Sequence, residues 1–176
     1  MVVRDSMIEY VDRIEGLNQH GSFKNSIGGA GINKILRAAI EAAENISRGA
    51  KLFIQGRGSS LKFICVEQIV DSAVDEVKDI DMRNNLCTVV LSISPRPKEN
   101  KLYNKNRKMT NRRLMEEIIK LYQEGIKITF MDMDVCLNSE RFLQDWVHFN
   151  FKGNRDLGKV VISVLKRVTN RSSSRN

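Results

Sequence analysis

The feature that most narrows what this chain can fold into is an alternation of short apolar runs with longer amphipathic ones. "MVV", "AKLFIQG", "LCTVVLSI" and "IKITFMDM" are apolar bursts of strand length. "SMIEYVDRIEGL" carries Ile8, Val11 and Ile14 in helical register. "GINKILRAAIEAAENI" sets Ile32, Ile35, Leu36, Ala39, Ile40 and Ala43 on one stripe, and Gly49 closes it. "LKFICVEQIVDSAVDEVKDI" turns Ile64, Val66, Ile69, Val70, Ala73, Val74 and Val77 inward. A long helix is predicted from about Lys101 to Gln123, stopping at Gly125, and "GNRDLGKVVISVLKRV" makes the closing helix. A weaker segment lies around Ser22 to Ile27. Strands alternating with crossover helices predict an α/β domain: a parallel sheet of about five strands sandwiched between helices. Right-handed crossovers leave few topologies.

The chain has 176 residues, enough for one domain with a real core. We expect one domain over residues 1–168 and a basic, Ser-rich, disordered tail over 169–176. Few residues precede Arg4 in the first strand, which reads as a trimmed start. No apolar run reaches membrane-span length, and charges interrupt "MVVRDSMIEY" too early for a signal peptide. The expected location is therefore intracellular, in the cytoplasm. Cys65, Cys87 and Cys136 lack metal-ligand spacing, and Cys65 and Cys87 fall in apolar runs, so buried free thiols are expected. His20 reads as a solvated loop residue.

Net charge is +8, which favours a polyanionic partner. "RPKENKLYNKNRKMTNRR", Arg96 to Arg113, holds eight basic residues against Glu99 alone. Such a run reads first as a solvated helix face. Its one aromatic, Tyr103, offers a single stacking platform, which makes a nucleic-acid contact through residues 101–113 a weak one.

Parallel sheets gather chemistry at the carboxyl ends of their strands. Ser6 follows the first strand and opens a helix. Gly28, Gly29 and Gly31 precede the second helix, and "QGRGSSL" follows the next strand. Asp145 and His148, spaced D-x-x-H, come after the last strand. A serine becomes nucleophilic when an imidazole takes its proton, and a carboxylate orients that imidazole. Preorganised donors must then hold the oxyanion. Each feature also has a plain alternative: an N-cap serine, turn glycines, a chance Asp–His pair, and for Arg96 a loop arginine.

In order, "VVRDSMI", "GGAGI", "QGRGSSL" and "DWVH" resemble the four blocks of the SGNH (GDSL-type) hydrolases, over nearly the whole chain. "VVLSISPRP" and "HFNFKGNRDLG" look like that family too, in particular like SGNH-type domains associated with animal retroelement proteins. The resemblance implies a flavodoxin-like three-layer α/β/α sandwich. It also implies esterase or acylhydrolase chemistry on small-molecule or lipid acyl esters, with no metal or cofactor. By residue, Ser6 matches the nucleophile, Gly29 an oxyanion donor, Asp145 the orienting acid and His148 the base. The sequence departs from the pattern at Arg4, where the family has glycine, and at Ser59, where it has an asparagine amide donor to the oxyanion. Trp146 stands where many relatives have glycine. Losing one such donor typically costs about 10²–10³ in rate. The departures motivate an alternative: a catalytically inactive, retroelement-derived domain kept for nucleic-acid binding or assembly.

Overall fold

A computed structural model of the chain describes residues 2–4, 24–26, 32–44, 51–55, 58, 60–84, 86–135, 139–141 and 148–173. The strands are β1 (Val2–Arg4), β2 (Lys24–Ser26), β3 (Lys51–Ile54), β4 (Cys87–Leu91) and β5 (Ile128–Met131). The helices are α1 (Ile32–Glu44), α2 (Val66–Asn84), α3 (Lys101–Gln123) and α4 (Phe151–Ser173).

All strand pairs are parallel and the order is β2-β1-β3-β4-β5. The three-residue β1 is an interior strand: Val2 pairs with both Lys24 and Phe53, and Val3 with both Asn25 and Ile54. Its shortness is offset by two ladders. The polar β2, "KNS", owes its strand state to pairing with β1 rather than to any apolar pattern of its own.

Both faces of the sheet are covered, as a parallel sheet requires. Leu52 and Ile54 pack with Ile35, Ala38 and Ala39 of α1 and with Ile80 of α2. Phe53 points the other way and is just as buried, as are Val89 and Leu91 on alternate positions of β4. Val90 joins Val77, Ile118, Leu121 and Ile128, which ties α2 and α3 to β4 and β5. Val66, Val70, Ala73 and Leu114 seal the α2–α3 seam. The result is the expected α/β architecture with a five-stranded parallel sheet.

Helix α3 has the predicted bounds, and its ends show why. Asn100 caps it, with Oδ1 accepting from Tyr103 N–H at 2.7 Å. Gly125 follows the C-terminus at φ 97°, a left-handed conformation that favours glycine.

Two expectations need correction. Helix α2 starts at Val66, not at Leu61: residues Ser60–Lys62 form a 3₁₀ turn that tucks Leu61 inward and leaves Phe63 88% exposed. Cys65, before the helix, is consequently exposed rather than buried. Cys87 is half-buried, and desolvation pushes its thiol pKa up against the opposing pull of Lys51 and Lys127. Arg96 lies in the loop after β4, as expected of a loop arginine, and is buried there. Helix α4 closes the chain from Phe151 to Ser173. The expected first helix, the glycine-rich residues 27–31, Gly49, His20 and Cys136 lie outside the described residues.

Candidate functional site

Strand order fixes where a site can form. Leaving β1, the chain goes to one side to make β2 and later returns to the other side of β1 to make β3. At such a reversal the loops after neighbouring strands diverge, and a crevice opens outside their carboxyl ends. Here those ends are Arg4 of β1 and Ile54 of β3.

The β3 exit is closely packed. Gln55 is buried at 1% exposure, and Gly58 is buried too. A Cβ on Gly58 would lie 3.1 Å from the Tyr103 hydroxyl, 3.3 Å from Arg96 Nη2 and 3.5 Å from Ile93 Cγ2. The absent side chain is thus what lets this loop press against the loop leaving β4.

That second loop is bolted from below. Asn111 Oδ1 accepts from Ile93 N–H at 2.8 Å, and its Nδ2 donates to the Ile93 carbonyl at 3.0 Å. Arg107 Nη1 also donates to that carbonyl, at 3.3 Å, and pairs with Asp134 Oδ1 at 2.6 Å. Ser92 Oγ donates to Asp132 Oδ1 at 3.2 Å and accepts from Met133 N–H at 2.8 Å. These bonds hold the exits of β4 and β5 together.

An ion-pair cluster closes the top. The Arg96 guanidinium lies 5.4 Å from the centroid of the Tyr103 ring, a cation–π distance. Glu99 Oε1 is 3.6 Å from Arg96 Nη1 and 2.7 Å from Lys62 Nζ. The Lys62 hydrogen bond, above all, holds the Glu99 carboxyl below its usual range, with the charges of Lys62 and Arg96 adding to it. Lys62 follows the β3 loop, whereas Arg96 and Glu99 follow β4, so the cluster ties the two loops to each other.

His148 is half-buried and stands just ahead of α4. The residues after it are fixed on several sides. Phe149 is buried, and its carbonyl accepts from Asn154 Nδ2 at 3.0 Å. Asn150 caps α4, its Oδ1 accepting from Gly153 N–H at 3.0 Å. Its backbone N–H donates to the Arg141 carbonyl at 2.9 Å and its Nδ2 to the Glu140 carbonyl at 2.6 Å. Gly153 packs so tightly on the Arg141 carbonyl that any Cβ would collide with backbone, and Arg141 Nε pairs with Asp156 Oδ2 at 2.7 Å. The histidine thus enters the fold from a rigid anchor.

Of the residues singled out in the sequence, His148 is described; Ser6, Gly29, Ser59, Asp145 and Trp146 lie outside the described residues. The strands leading to three of them are in place. Ser6 follows Arg4 by two residues, Gly29 follows Ser26 by three and Ser59 follows Ile54 by five. Sequence reasoning missed the supports: Asn111, Arg107, Asn150 and Asn154. A signal for the first two exists, since Arg107 and Asn111 continue the stripe of Leu114, Ile118 and Leu121 that α3 buries. Among the described residues, no group of three or more His, Cys, Asp and Glu side chains could hold a metal ion.

Compared with solved structures, the chain has the fold of SGNH hydrolases. A Bacteroides fragilis protein provisionally described as an acylhydrolase superposes with a TM-score of 0.75 at 17% identity, over 95% of this chain and 86% of that one. A family 3 carbohydrate esterase of Clostridium thermocellum gives 0.69 at 16% identity, covering 96% of each chain. A GDSL-like lipase of Bacteroides thetaiotaomicron gives 0.70 at 11% identity, over 95% of this chain and 87% of the other. No protein-family model and no curated protein sequence matches the chain.

Proposed function

We propose that the protein is an SGNH-type serine esterase acting on small acyl esters. The observation that carries this reading is topological: the stretches bearing Ser6 and Ser59 follow β1 and β3, the two strands flanking the reversal of strand order. The stretch bearing Gly29 follows β2, the next strand over. The shared fold with esterases and acylhydrolases supports the same reading.

In this mechanism Ser6 Oγ attacks the acyl carbonyl while His148 takes the hydroxyl proton. Asp145 accepts a hydrogen bond from the imidazole and stabilises its cationic form. The backbone N–H groups of Ser6 and Gly29 hold the oxyanion, with the Ser59 hydroxyl as a third, shorter donor. The imidazolium then protonates the leaving alkoxide, releasing the alcohol and leaving an acyl-enzyme. Water attacks that ester with His148 again as base, which releases the acid and frees Ser6. The rigid anchoring of Asn150 and Phe149 fits a role for His148 that demands a fixed approach.

Hydrolysis of p-nitrophenyl acetate tests this reading. Ser6→Ala and His148→Asn should each lower kcat/KM by about 10³-fold or more relative to the unaltered chain. Hydrolysis retained in Ser6→Ala would overturn it.

A further inference from the structure

Helix α3 buries one arc and leaves the other bare. Tyr103, Arg107, Thr110, Asn111, Leu114, Ile118 and Leu121 face the core. On the solvent arc Lys101, Lys105, Lys108 and Arg112, spaced by four, three and four residues, are all exposed. Large apolar side chains share that arc: Leu102 at 64% exposure, Met109 at 45%, Met115 at 42%, Ile119 at 49% and Tyr122 at 62%. Five of the nine large apolar residues exposed among the described residues therefore sit on this helix. Isolated exposed apolar residues need no explanation, but a concentration on one helix marks an interaction surface.

Charge completes the picture. Glu116 pairs with Arg112 at 2.9 Å and Glu117 with Lys120 at 2.6 Å. No carboxylate among the described residues pairs with Lys101, Lys105, Lys108 or Arg113. The first three of these lysines, with Pro97, Glu99 and Asn104, line an open groove of about 550 Å³ at the start of the helix.

We propose that the solvent arc of α3 seats the protein on an anionic phospholipid surface. Lysines with long aliphatic stems, interleaved with Leu and Met, suit the boundary between headgroups and acyl chains. The cations meet the phosphate and carboxylate of the headgroups while Leu102, Met109 and Ile119 enter the apolar layer below. A nucleic-acid strand is the poorer fit. Stacking platforms would have to lie among the lysines, whereas the exposed aromatic of the arc, Tyr122, sits at the opposite end of the helix. At about 1.5 Å per residue the arc is about 35 Å long, enough to lie across several headgroups. The proposal stands apart from the esterase reading, because it needs no working nucleophile.

Flotation of the full chain with phosphatidylcholine vesicles, with and without about one third phosphatidylserine, tests it. Association should require phosphatidylserine and weaken with added salt. Replacing Lys101, Lys105 and Lys108 by Gln should lower it about 100-fold, at about five-fold for each charge. Replacing Leu102, Met109 and Ile119 by Ser, at constant charge, should lower it about ten-fold or more. All six side chains are exposed, and circular dichroism checks that both variants fold. Three results would overturn the proposal. One is no flotation with either vesicle. Another is flotation that survives the Ser substitutions, with a single-stranded oligonucleotide bound more tightly than the vesicles. The third is a concentration-dependent dimer, seen by sedimentation velocity and lost with the Ser substitutions, in a chain that ignores vesicles.

Discussion

Asn111 and Ile93 exchange two hydrogen bonds: the side-chain amide accepts from the Ile93 N–H at 2.8 Å and donates to its carbonyl at 3.0 Å. A helix side chain here does what a neighbouring strand would do, satisfying both backbone groups where β4 runs past the end of its ladder. The bonds are buried, so their loss leaves Ile93 N–H with no solvent to turn to. Asn111→Leu should destabilise the fold by about 2–4 kcal/mol, read from urea unfolding. A change within experimental error would mean that the pair does not hold the β4 exit.

Gly58 meets Tyr103 at a distance that forbids even a methyl group without movement. The three neighbours of that missing Cβ, Tyr103, Arg96 and Ile93, are all buried and have little room to yield. Gly58→Ala should cost about 1–3 kcal/mol in thermal unfolding. Tyr103→Phe, which deletes the nearest atom, should recover part of that loss in the double variant. Strict additivity of the two substitutions would show that the hydroxyl is not the obstacle.

The Lys62–Glu99–Arg96 cluster carries a pH signature. Glu99 has a folded-state pKa lowered from 4.5, chiefly by the Lys62 hydrogen bond. A carboxylate with a depressed folded pKa adds stability above its unfolded pKa, and that stability is lost as pH falls through the folded value. The Tm gap between the unaltered chain and Glu99→Gln should therefore be present at pH 6–7 and close progressively below about pH 4.5. A gap that stays constant down to strong acid would remove Glu99 from the account.

Asn150 does two jobs that can be separated. It caps α4 through Oδ1 and grips the Glu140 carbonyl through Nδ2. Asn150→Ala loses both and should cost about 1–2 kcal/mol. Asn150→Asp keeps the cap and should cost less. Chemical denaturation of the two variants side by side gives the ranking, and the reverse order would contradict these roles.

How much of this was legible beforehand follows from what each residue signals. Apolar runs announce β3, β4 and β5, and Gly125 announces the end of α3, because such termination chemistry is local. The strand state of "KNS" is a product of pairing with β1, which no local pattern records. Helix α2 starts later than the apolar pattern predicts because Phe63 and Cys65 look like core residues yet face solvent. Arg96 is in the loop the sequence assigns it to, but its burial by a Tyr ring, a Glu and a glycine comes from tertiary contacts that no local pattern records. Of the candidate triad, the sequence blocks supply Ser6, Asp145 and His148; the described structure contributes the strand ends and the anchor around His148. The likeness to retroelement-associated domains rests on sequence blocks alone.

Esterase chemistry by this route requires Ser6 to be an activated nucleophile. Covalent labelling by a fluorophosphonate, read by intact mass and peptide mapping, answers that without any guess at the substrate. A single adduct on the peptide containing Ser6, absent in Ser6→Ala and strongly slowed in His148→Asn, is the predicted result. Folded protein that takes up no label, or label that persists in Ser6→Ala, would contradict it.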